Sequence, residues 1–144
     1  MMIRLTALAV VLAASTAFSQ ASAQAVPAAL KPLQGTWVLT SPDGQPLAQS
    51  GDLTITFTGD KYAQAVAGAV NERGTIKLDT TKKPTWIDLT ITEGADAGKL
   101  QVGLIEVTGD VMKGVLGVAG ATTRPASLAP APDMISFVGK KKPA

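Results

Sequence analysis

The chain has 144 residues, with 13 basic and 11 acidic side chains and 46% apolar residues, a composition suited to one globular domain. It contains neither Cys nor His. A disulfide framework, a zinc finger or other His-ligated metal, a thiol nucleophile and a Ser-His-Asp triad are thereby excluded, which leaves carboxylate, Lys, Tyr and hydroxyl chemistry.

The N-terminus reads as an export signal. Met1 to Arg4 form a short basic start, Leu5 to Ala14 an unbroken run of apolar and small residues, and Ser15 to Ala25 end in overlapping A-x-A sequences. Residues 1–25 are therefore expected to be a cleavable signal peptide, cut after Ala23 or Ala25, sending the protein to the periplasm or medium. The apolar run is about half of what a bilayer crossing requires, so no stable membrane anchor is expected. Only Arg4 is lost with the leader, leaving 12 basic against 11 acidic groups, and Lys140, Lys141 and Lys142 hold three of those positive charges. The basic character therefore reads as a C-terminal Lys run of the kind that is usually solvated, and no nucleic-acid partner is expected.

Residues 26–32 read as a flexible lead-in, and 33–142 as the folded domain. From Gly35 onward, short apolar/polar alternations separated by turn residues predict an all-β barrel or sandwich. The two-residue loop Gly59-Asp60 pairs Phe57 with Tyr62, Ile55 with Gln64 and Leu53 with Val66, all facing inward. Tyr62 and Gln64 are the two polar intruders on that face. The next hairpin pairs Leu78 with Ile87 and Ile76 with Leu89 inside, and Lys77 with Asp88 outside. A second Gly-Asp turn at Gly109-Asp110 pairs Val107 with Met112 and Ile105 with Gly114, with Glu106 opposite Lys113 outside. The same register sends Val102, Leu104, Val111 and Val115 outward. They form an exposed apolar stripe for a protein partner at Val102, Leu104 and Val115, unless a bulge at Gly103 reverses the phase or the lead-in covers them. Ala121 to Asp133 is an Ala/Pro-rich connection without regular structure.

Gly35-Thr36-Trp37 opens the first strand with a G-x-W. The motif is joined by Phe57-Thr58-Gly59-Asp60-Lys61-Tyr62, by Lys82 to Leu89, by Gly98 to Asp110 and by Arg124-Pro125. This ordered set resembles a small lipocalin-like, calycin-type bacterial domain family known mainly from planctomycete proteins, over Leu33 to Lys142. The chain departs from it at Leu104-Ile105 and Leu128, where the family tends to carry aromatics. The resemblance implies an antiparallel, up-and-down, eight-stranded β-barrel. It also implies that a basic side chain, Lys140 or Arg124, lies over Trp37 and closes one barrel end.

The barrel interior is the candidate binding site, with Tyr62, Gln64, Phe57, Ile55, Ile76, Leu89, Ile105 and Met112 as lining, and with inward Gly103 and Gly114 leaving room for a small apolar ligand. No catalytic residues, metal or cofactor are expected: Asp88 and Glu106 face outward opposite Lys, Asp60 and Asp110 sit in turns, and the Gly94–Gly98 loop has a single carboxylate. The alternative is a protein-interaction module, an inhibitor or envelope scaffold, that uses its outer surface.

Overall fold

The structure is a computed structural model and describes residues 26–143. The expected signal peptide and its cleavage site lie outside the described residues. Eight antiparallel strands, β1 (Gly35–Thr40), β2 (Leu53–Thr58), β3 (Lys61–Val66), β4 (Ala69–Asp79), β5 (Thr85–Glu93), β6 (Leu100–Thr108), β7 (Val111–Gly117) and β8 (Met134–Lys141), follow one another around a barrel. The barrel closes where β8 pairs with β1, Trp37 facing Lys141 and Leu39 facing Gly139.

Turn chemistry sets these registers. Gly59 (φ 63°) and Gly109 (φ 59°) each occupy the first position of a two-residue loop, where a positive φ matches the twist of the flanking strands. The pairings Phe57 with Tyr62, Ile55 with Gln64, Ile76 with Leu89, Lys77 with Asp88, Val107 with Met112 and Glu106 with Lys113 all occur as the alternation predicts. A further tight turn, Ala67 (φ 50°) and Gly68 (φ 83°), joins β3 to β4 and escapes the sequence reading because its first residue is not a typical turn former. A bulge just beyond it, between the Ala65–Val70 and Gln64–Glu72 pairs, brings Glu72 opposite Gln64.

The inward residues form one core cluster that includes Trp37, Ile55, Phe57, Tyr62, Ile76, Leu89, Ile105, Met112 and Phe137. The segment expected to be a flexible lead-in is instead ordered. Residues Ala28–Leu33 form a 3₁₀ helix that buries Leu30 and Leu33 in this core. Gln34 ties it to the β2–β3 turn: its Nε2 donates to the carbonyls of Leu30 (3.1 Å) and Gly59 (2.9 Å), and its Oε1 accepts from the Gly59 amide (2.7 Å). A six-residue helix with Pro inside has no amphipathic period to read, so its burial is set by the barrel it plugs.

The outer apolar stripe also differs from expectation. No bulge occurs at Gly103, which pairs in continuous register with Ile87 and Leu116. Val102, Leu104 and Val115 do point outward, but they are 6%, 2% and 1% exposed and present no free surface for a partner. The connection between β7 and β8 crosses this face: Arg124 Nη1 donates to the backbone carbonyls of Ile87 (3.1 Å) and Gly103 (2.9 Å), Nη2 donates to Asp88 (2.6 Å), and Pro125 is buried beside them. An Ala/Pro-rich stretch without periodicity thus serves as a strap over the sheet.

Candidate functional site

One end of the barrel is sealed. Trp37 is fully buried above the 3₁₀ helix, its Nε1 donating to the Leu33 carbonyl at 2.7 Å. The cation over its ring is Lys141, with Nζ 5.6 Å from the centroid, and neither Lys140 nor Arg124. The correction is one of strand parity. Phe137, Gly139 and Lys141 share the inward side of β8, whereas Lys140 stands opposite Val38 and points out. Arg124 instead lies 4.3 Å over the ring of Trp86 on the outer face, with Lys82 Nζ at 4.9 Å.

Above this plug the interior holds a cavity of about 380 Å³, within the range of small-molecule sites. Phe57, Ile87, Ile105 and Met112 line its depth, Ile55, Leu89, Leu39 and Phe137 its walls. Leu47, Leu53, Gln64, Glu72, Gln101, Leu116 and Ile135 come from the strand ends remote from the helix and from the β1–β2 loop, and they make the mouth.

Of the expected lining residues, Ile55, Phe57, Gln64, Leu89, Ile105 and Met112 meet in this cavity. Tyr62 and Ile76 do not reach it; both are buried in the surrounding core. The inward glycines do not supply the empty space either. A Cβ on Gly114 would collide with the Phe137 ring, and one on Gly103 with Leu116 and the Val115 carbonyl. These glycines admit neighbouring side chains, and the cavity lies beyond the side chains they admit.

The polar groups gather at the mouth. Tyr62 is 3% exposed, and its hydroxyl donates to Glu72 Oε2 at 2.9 Å. Burial chiefly, then that hydrogen bond and the Glu72 charge, push the Tyr62 phenol well above the usual tyrosine range. Gln101 Nε2 donates to the Gly117 carbonyl at 2.9 Å, and Gln64 Nε2 lies 3.4 Å from Asn71 Oδ1. Glu72 and Gln101 escape the sequence reading. Gln101 lies one pleat before the inward Gly103 and Ile105, whereas an alternation count carried through the Ala67-Gly68 turn puts Asn71 opposite Gln64; a bulge between the Ala65–Val70 and Gln64–Glu72 pairs turns Glu72 inward, and no local signal in the sequence marks it. Among the described residues there is no group of three or more His, Cys, Asp or Glu side chains able to hold a metal ion, and no helix is long and apolar enough to cross a membrane. The chain matches no family model, no curated protein and no solved structure.

Proposed function

We propose that the protein is an exported, non-catalytic, lipocalin-like barrel that carries a small apolar molecule in its interior. The observation that supports this most is the combination of a sealed base with an apolar cavity of about 380 Å³ that has its few polar groups confined to the mouth. An eight-stranded barrel is just wide enough to be filled by side chains or to hold one small ligand, and here space remains after the side chains are placed. Apolar walls supply affinity, while the mouth groups fix orientation.

The leader-like N-terminus and the lipocalin-like motif order supply the cellular and family parts of this reading. Native mass spectrometry of the protein recovered from its producing cells tests all of it. A chain mass beginning after Ala23 or Ala25, with a discrete additional mass lost on denaturation, is the expected result. An uncleaved chain overturns export, and a consistently empty barrel overturns the carrier role.

A further inference from the structure

Resting on the apolar-ligand reading, we propose that the cavity selects amphiphiles with an ammonium head, and rejects those with a carboxylate head, through Glu72 at its mouth. Glu72 is the sole ionisable side chain in the lining, which contains no Lys or Arg. Among the described residues it has no basic partner within 4 Å: Arg73 is paired with Glu93, Lys99 with Asp96 and Arg124 with Asp88.

The neighbouring hydrogen bonds point the same way. Tyr62 spends its hydroxyl proton on Glu72 Oε2, Gln101 spends an amide proton on the Gly117 carbonyl, and the Gln64 amide nitrogen is directed at Asn71. What remains at the mouth is the free lone pairs and charge of the Glu72 carboxylate, with two neutral amides that each keep an acceptor oxygen and a second N–H. An alkylammonium brings the charge that the Glu72 carboxylate lacks and three donors for that carboxylate and the amide oxygens. A carboxylate head in the same place would meet a like charge and find no cation to pair with it. The ligand lies with its tail toward Phe57, Ile105 and Met112 and its head between Gln64, Glu72 and Gln101.

Displacement of the neutral fluorophore N-phenyl-1-naphthylamine by decylamine, decanol and decanoate tests the proposal. The expected ranking places decylamine first, displacing at a concentration about tenfold below that of decanoate, with decanol between them. Glu72→Gln closes the gap to within about twofold, while Tyr62→Phe, which keeps the charge, preserves it. Added salt narrows the wild-type gap as well, a readout that needs no variant. Decanoate displacing as well as decylamine, or a gap unchanged by both Glu72→Gln and salt, overturns the head-group assignment while leaving the apolar cavity intact. Failure of the fluorophore to bind the wild-type protein overturns the cavity reading itself, and this proposal with it.

Discussion

Tyr62 is the single tyrosine of the chain, so its titration can be followed without ambiguity through the tyrosinate absorbance band. Its phenol is buried and bonded to a carboxylate, which favours the protonated form in the folded state. Above the ordinary tyrosine value of about 10 the unfolded chain releases this proton while the folded chain holds it, so this contribution to stability falls as pH rises. Tyr62→Phe removes the bond and is expected to cost about 1.5 kcal/mol near neutrality, the lower end for one hydrogen bond to a charged group. Denaturant midpoints measured on either side of about pH 10 should therefore converge for the two proteins as the wild type loses its advantage. Parallel midpoints would show that the phenol titrates alike in both states. Gln64 offers a contrast on the same face. Its contact with Asn71 is long, at 3.4 Å, and the side chain is only partly buried, so Gln64→Leu should shift the midpoint by no more than about 0.5 kcal/mol while weakening any ligand held at the mouth. Unfolding of that variant would place Gln64 in a structural network instead.

At the scale of elements, the 3₁₀ helix and the inward glycines determine what volume is left inside. Leu33 is 1% exposed, lies beneath Trp37 and gives it a carbonyl acceptor. Leu33→Ala is expected to destabilise the barrel by about 3 kcal/mol and to red-shift Trp37 fluorescence as water reaches the base. Gly114→Ala acts from the opposite direction: its methyl takes the place of the Phe137 ring, which must swing into the cavity, so the variant should lose fluorophore uptake before it loses its fold. The strand pairs were legible because a two-residue loop fixes the register and a period of two fixes the face, as Phe57 with Tyr62 and Lys77 with Asp88 illustrate. Lys141 was not, because choosing between adjacent lysines requires knowing where β8 begins, and the Ala/Pro stretch before it gives no phase. The 3₁₀ helix, the strap and the filling of glycine space were not legible either. Each depends on which surfaces the closed barrel presents, a property of the tertiary arrangement and not of any local period.

The whole molecule is held in this form by a closed sheet and by the strap across β5, β6 and β7. Arg124 fastens that strap, with a side chain only 19% exposed, bonds to two strand carbonyls and to Asp88, and a ring face beneath it. The two carbonyls belong to residues paired across neighbouring strands, Ile87 and Gly103, so a single guanidinium spans the strand boundary. A planar fork can satisfy both carbonyls and the carboxylate together, whereas the point charge of a lysine cannot. Arg124→Ala should therefore cost about 2 kcal/mol, and Arg124→Lys should recover little of it. The more telling change is local. Without its fastening the strap opens in an otherwise intact barrel, uncovering Val102, Leu104 and Val115. Limited proteolysis should then cut within residues 118–133 far faster than in the wild type, and the uncovered apolar face should drive self-association at raised protein concentration. Cleavage spread over the whole chain would mean that the strap and barrel unfold as one unit. Unchanged cleavage would mean that Pro125 and its neighbours hold the strap without the guanidinium.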